Sequence, residues 1–185
     1  SSALSGCVNS ARIAKEAVED EIKSADITVI DTKSASLGLG LIVYYAANML
    51  KNGATKEEII NWIEENKLKV NHWFTVDDLN HLKRGGRVSS TVAIVGTMLS
   101  IKPIMHVDDE GRLIPVSKVK GRKKSVKELQ EKLKERIVNP EDQTIFISHG
   151  DCLAEAEQLR DLILNEVKVK EVIINNVGPV IGAHS

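Results

Sequence analysis

Apolar residues recur along the first half of the chain in two alternating rhythms. Val8, Ala11, Ala14 and Val18 fall at helical spacing, and Ile27-Thr28-Val29-Ile30 follows as a short β-branched run of the kind buried in a parallel sheet. Asp31 ends that run. Ser36 to Leu50 is apolar on most sides, with Gly38 and Gly40 near its start, and predicts a helix enclosed by its neighbours; Asn52-Gly53 stops it. Thr55 and Glu58 then spell a capping box, in which hydroxyl and carboxylate each satisfy an orphaned backbone N–H, opening a helix through about Glu65.

His72 to Phe74 reads as a short strand. Thr75 is the expected N-cap of the next helix, Val76, Leu79 and Leu82 its buried stripe, and Gly85 its C-cap. Lys83 and Arg84 fall in the last turn, where positive charge suits the exposed carbonyls. Arg87 lies beyond the cap, so Gly-Gly-Arg-Val-Ser-Ser leaves one guanidinium on a loop between two helices, where an anion can meet it. Ser89 or Ser90 then caps a very apolar segment, Val92 to Leu99.

The second half has another pattern. Ile101–Val107 and Arg112–Val119 alternate as strands around Asp108-Asp109-Glu110-Gly111, a hairpin connection with glycine where a left-handed residue is needed. Ser125 with Glu128 is a second expected capping box, opening a helix that Asn139-Pro140 ends. Thr144–Ser148 is a strand, Asp151 caps a helix carrying Ala156, Leu159 and Ile163, and Glu171–Asn175 is the last strand. The pattern predicts an α/β fold in two or three layers. Residues 1–100 form a parallel-sheet α/β domain and residues 101–185 a smaller mixed or antiparallel α+β domain, with a soft boundary.

A chain of 185 residues with 42% hydrophobic content supports a real core, and aromatics at 3% leave aliphatic side chains to fill it. That scarcity of rings, with a net charge of -1, argues against stacking on bases or long-range attraction to nucleic acid or anionic lipid. Any anion site must therefore be local. Two cysteines, Cys7 and Cys152, make neither metal spacing nor a disulfide framework, which fits a reducing, cytoplasmic setting. No apolar run reaches membrane-spanning length, and the N-terminus lacks a signal-peptide plan, so stable membrane insertion is not expected. The chain opens on Ser1-Ser2 and closes on His184-Ser185 after an apolar segment, so both ends are expected to be cut from a longer protein.

Few residues offer chemistry. Ser1-Ser2-Ala3-Leu4-Ser5-Gly6 precedes a helix and can present hydroxyls and amides to a carboxylate or phosphate; the plainer reading, Ser5 as an N-cap beside a solvated turn, is preferred from the residues alone. In Val119-Lys120-Gly121-Arg122-Lys123-Lys124 a solvated basic face is favoured over a nucleic-acid patch, while Arg122 has the geometry to grip a phosphate bidentately. His184 follows glycine-flanked apolar residues and can donate a ring N–H to a carboxylate, although a lone histidine is more often structural. His149, where a strand enters a helix, reads as a turn residue. Gly38-Leu39-Gly40 falls short of a dinucleotide fingerprint, and neither a Walker loop nor a nucleophile elbow appears, so the inventory favours binding over bond-making.

Seven segments, in order along nearly the whole chain, resemble the bacterial DegV family: Ser1-Ser2-Ala3-Leu4-Ser5-Gly6, Asp31 to Gly38, Phe74 to Leu79, Leu82 to Ser89, Ile101-Lys102-Pro103-Ile104, Gly121 to Lys124 and Gly178 to His184. The family contains the fatty-acid-binding subunits of bacterial fatty acid kinase. The resemblance implies a DegV-like two-domain fold and a long-chain fatty acid as bound ligand, with no other cofactor, its carboxylate held by hydroxyls and a histidine. The family's serine loop maps onto Ser2, with Ser1 and Ser5 as neighbours, and its terminal histidine onto His184. Its basic positions for phosphate handling or kinase docking map onto Arg87 and Arg122. The family's Thr-Ser-x-Pro motif, whose threonine helps bind the carboxylate, is missing from this chain, and Cys7 stands where threonine is common. Val92, Ile94, Val95, Met98, Leu99, Ile101 and Ile104 are candidate tunnel lining, for which an ordinary core role is the stronger alternative.

About fifteen methylenes at about 0.8 kcal/mol each offer on the order of 12 kcal/mol before ordering costs, so the tail can supply affinity while the head group orients. The leading expectation is a non-catalytic lipid-binding subunit that presents the acyl carboxylate to an ATP-dependent kinase domain. Two alternatives stay open: an enzyme acting on a small anionic substrate at the same Ser/His/Arg cluster, and a regulatory nucleic-acid binder using Arg122, Lys123 and Lys124.

Overall fold

The computed structural model describes residues 1–89 and 100–184, and their strands form two sheets. The first is antiparallel, in the order β1 (Trp73–Thr75), β2 (Ile101–Val107) and β3 (Leu113–Lys120). Trp73 faces His106 across one ladder and Val107 faces Leu113 across the other. The β2–β3 turn closes as its residues dictate. The Asp108 carboxylate accepts from the backbone N–H groups of Glu110 and Arg112, and Gly111 takes the left-handed conformation (φ 80°) that an L side chain resists.

The second sheet pairs β4 (Thr144–His149) with β5 (Glu171–Asn176) in parallel, in register from Thr144↔Glu171 to His149↔Asn176. Their connection contains a helix, Leu153–Glu166, as a parallel crossover requires. The fold is thus α/β. Its parallel ladder lies later in the chain than the first-half strands suggested, and the antiparallel sheet draws β1 from before residue 100.

Helices α1 (Cys7–Glu21), α2 (Ser36–Lys51) and α3 (Lys56–Asn66) occupy the first part of the chain. The Thr55/Glu58 capping box at α3 is formed in both directions. An aromatic group ties this region to the parallel sheet: Tyr44 and Phe146 meet edge to face, Tyr45 packs on Trp62, and the Tyr44 and Thr144 hydroxyls both donate to Glu171. Next come α4 (Leu79–Arg84) and α5 (Arg122–Arg136); α6 is the crossover helix Leu153–Glu166, and α7 (Pro179–Gly182) closes the series. Leu79, Leu82, Val88 and Met105 form one core, with Phe74, Val76 and Leu113 packed on it. Ile147, Ala156 and Ile163 form another, under Leu133, Leu159, Val172 and Ile174.

Several boundaries differ from expectation. Thr75 is the last residue of β1 and not a cap; Asp78 caps α4 by accepting from the Asn80 N–H at 2.9 Å. Ser125 sits fully buried inside the first turn of α5, its hydroxyl donating to the Arg122 carbonyl at 2.8 Å, because the helix starts three residues earlier, after left-handed Gly121. Asp151 is itself left-handed (φ 57°), which leaves Cys152 at the N-cap of α6. Ile27–Ile30 has no ladder partner among the described residues; β-branched composition encodes an extended preference, not a neighbour.

Candidate functional site

The Ser1–Gly6 loop is held from three sides. The Ser1 backbone nitrogen donates to the Ser34 carbonyl at 2.7 Å, and its hydroxyl donates to the Gly111 carbonyl at the hairpin tip, 3.0 Å away. Inside the loop, the N–H groups of Leu4 and Ser5 both return to the Ser1 carbonyl at 3.2 Å. Gly6, not Ser5, is the N-cap of α1; the Ser5 hydroxyl accepts from the Cys7 N–H at 3.2 Å one residue ahead of the cap.

The second support is Asp31. Its carboxylate accepts from the Ser2 N–H (3.1 Å), the Ser2 hydroxyl, the Lys33 N–H (3.2 Å) and the Lys33 ammonium (2.9 Å). The Asp31 side chain is only 9% exposed. Burial alone would push its carboxyl up, but the hydrogen bonds from Ser2 and Lys33 outweigh it and hold Asp31 well below the usual carboxylate range. Lys33 has a left-handed backbone (φ 53°), which folds the segment so that its N–H and ammonium reach the same carboxylate.

The third support is Arg87. Its Nε–H donates to the Leu4 carbonyl at 3.2 Å and its Nη1 donates to the Gly85 carbonyl. The guanidinium left over by helix-end reasoning thus joins the exit of α4 to the serine loop. His184 reaches the same glycine from another element: its ring packs over Gly85, while its Nδ1–H donates to the Val180 carbonyl at 2.7 Å. The serine loop, Arg87 and His184, drawn from three distant stretches of the sequence, therefore meet around the exit of α4.

Arg122 belongs to a different group. It donates to Glu155 through Nε (2.8 Å) and Nη2 (2.7 Å), approaches Asp77 at 3.8 Å, and has Cys152 Sγ 3.8 Å from Nη2. Asp77 also pairs with Lys102 at 2.6 Å. Burial would lower the Arg122 pKa, yet the Glu155 hydrogen bond and the nearby carboxylates raise it above its ordinary value. This network clamps α5 and α6 to the segment leading into α4.

The His72 ring fills the space beside Gly38 in α2 that a β-carbon would need, and its buried Nε2 has no hydrogen-bond partner among the described residues. Burial, helped by His106, depresses its pKa to about 4. The two histidines border a polar cavity of about 80 Å³ with Lys33, Ser34, Asp108 and Arg136, room for water-sized guests and not for an alkyl chain. Of the candidate lining residues, Ile104 is fully buried in β2 and Ile101 half-buried at its start, whereas Val92, Ile94, Val95, Met98 and Leu99 lie outside the described residues. Among the described residues, no group of three His, Cys, Asp or Glu side chains is placed to hold a metal, and no helix is long and apolar enough to cross a membrane.

The profile of the DegV family, described as uncharacterised proteins, matches residues 1–185. The chain belongs to the DegV family. A DegV domain-containing protein of Clostridium perfringens is 54% identical over the whole chain, which spans 64% of that relative's length. A DegV family protein from Ruminococcus gnavus with vaccenic acid superposes with a TM-score of 0.90 at 28% identity, over 100% of this chain and 66% of that one. DegV of Bacillus subtilis, a fatty acid binding protein, gives a TM-score of 0.81 at 32% identity, over 100% of this chain and 64% of that one.

Sequence reasoning named Ser1, Ser2, Ser5, Arg87 and His184 in this DegV chain, but not the residues that hold them. Asp31 and Lys33 were expected only as part of a family-like segment, Asp31 to Gly38, with no role beyond ending a β-branched run, and Gly111 only as a turn residue. A carboxylate followed two residues later by lysine was the available signal for the Asp31 clamp.

Proposed function

We propose that this protein binds one long-chain fatty acid and presents its carboxylate to a separate ATP-dependent kinase domain, which forms the acyl phosphate. The observation that carries the reading is the convergence of the serine loop, Arg87 and His184, in a family whose Bacillus subtilis member is a fatty acid binding protein. In this scheme Ser2, with Ser1 and Ser5 beside it, and His184 orient the head group. Arg87 fixes the loop through the Leu4 carbonyl, and Arg122 serves phosphate handling or kinase docking. The kinase partner, a division into domains at about residue 100, cytoplasmic residence and the absence of catalysis by this chain alone belong to the same proposal.

The chemistry of His184 supports it. With Nδ1–H given to Val180, the neutral ring offers only an acceptor at Nε2, whereas the imidazolium offers a second N–H that suits a carboxylate. Native mass spectrometry of the full-length protein purified from bacteria tests the reading. A bound acyl chain, or uptake of added oleate, is the expected result; recovery without lipid and without uptake would sink it.

A further inference from the structure

The Arg122 cluster is electrically neutral as it stands: two cations, Arg122 and Lys102, face two carboxylates, Glu155 and Asp77. The guanidinium spends its forked Nε/Nη2 edge, which suits an oxyanion, on a single oxygen of Glu155, at 2.8 and 2.7 Å, and turns Nη1 toward Asp77. An oxyanion arriving from outside therefore meets an occupied edge and two negative neighbours. The pair is nonetheless easily opened. Arg122 is 30% exposed and Glu155 36%, so water can solvate the freed carboxylate, and Asp77 keeps Lys102 when Arg122 leaves. Arg122 begins α5 and Glu155 lies in the first turn of α6, so opening the pair also frees one helix end from the other.

We infer that Glu155 is an internal competitor for Arg122: its carboxylate stands where a carboxylate of the kinase surface binds, and docking exchanges one for the other. The inference rests on the reading of Arg122 as a docking residue. A protein carboxylate fits better than a phosphoryl group, because the side chains that the guanidinium reaches are Glu155, Asp77 and Cys152, none of them in the serine loop or at His184. Glu155 then sets how tightly the kinase is held without touching the lipid.

The test titrates the full-length protein with the kinase domain protein of the same bacterium, for wild type, Glu155→Gln, Arg122→Ala and the double variant. Competition predicts that Glu155→Gln tightens docking by about two- to fivefold, the size of a screened ion pair, and changes nothing once Arg122 is alanine. Unchanged or weaker docking of Glu155→Gln overturns the inference and leaves the docking reading standing, because a carboxylate that merely orients Arg122 helps docking. An equal gain in the Arg122→Ala background also overturns it, since a general loss of negative charge needs no arginine. Titration with inorganic phosphate separates the source of the oxyanion: tightening for phosphate but not for the kinase overturns the assignment to a protein carboxylate. A wild type that does not dock, or an Arg122→Ala variant that docks equally well, removes the docking reading and the inference with it.

Discussion

Gly85 and His184 are in contact: a β-carbon on Gly85 would lie 2.9 Å from Cδ2 of the His184 ring. Gly85 has an ordinary helical φ of -70°, so its lack of a side chain serves the histidine and not the backbone. Gly85→Ala should displace the ring while changing stability by no more than about 1 kcal/mol. Oleate titration should show weaker binding, with a melting temperature close to wild type and a shifted His184 ring resonance.

Gly38 supports a histidine in a costlier way. The His72 ring covers the space a β-carbon would need, and that ring is buried, so it has nowhere to turn. Gly38→Ala should lose about 2 kcal/mol or more from overpacking, read as a lower urea midpoint at unchanged m-value.

His72 should also make stability fall in acid. Unfolded, its imidazole takes up a proton near 6.5; folded, burial delays that to about 4. Between those values the unfolded chain binds more protons, so stability is full above pH 6.5, declines as pH drops toward 4, and then levels off. The loss amounts to about 3 kcal/mol, and His72→Gln should flatten that part of the pH profile of urea unfolding.

Arg122 and Glu155 should be energetically coupled in the free protein. Both side chains are about a third exposed, so solvent screens the pair, and a double-mutant cycle with Arg122→Ala and Glu155→Gln should give about 0.5–1 kcal/mol. A coupling of zero would show that the Arg122–Glu155 pair adds nothing to the stability of the free protein.

Thr55→Ala should cost about 1 kcal/mol, because it removes the hydroxyl that accepts from Glu58 N–H at the start of α3. Fatty-acid binding should not change, which separates scaffold effects from site effects in the same titration.

Local codes in the sequence were legible where the structure uses them locally. The hairpin around Asp108–Gly111, the capping box of α3 and the span of β2 all arise from residues within a few positions of one another. Capping failed at Thr75, Ser125 and Asp151, where a hydroxyl or carboxylate of the right type stood at the wrong turn of the chain. In each case tertiary context moved the helix start: β1 pairing extends through Thr75, and left-handed residues at 121 and 151 redirect the backbone. The site was legible as a set of residue types through family resemblance. Its wiring was not, since the Asp31–Ser2, Arg87–Leu4 and Ser1–Gly111 bonds link positions 29, 83 and 110 residues apart, and no spacing rule reaches that far.

The bond between Ser1 and Gly111 reverses a common expectation about hairpins. Tips of β-ribbons usually absorb insertions freely, because nothing rests on them. Here the ribbon has a set length: its far end props the serine loop, and one added residue would carry the Gly111 carbonyl away from the hydroxyl it receives. The two strands work as a ruler, so a change in strand length that touches no residue of the serine loop can still displace it.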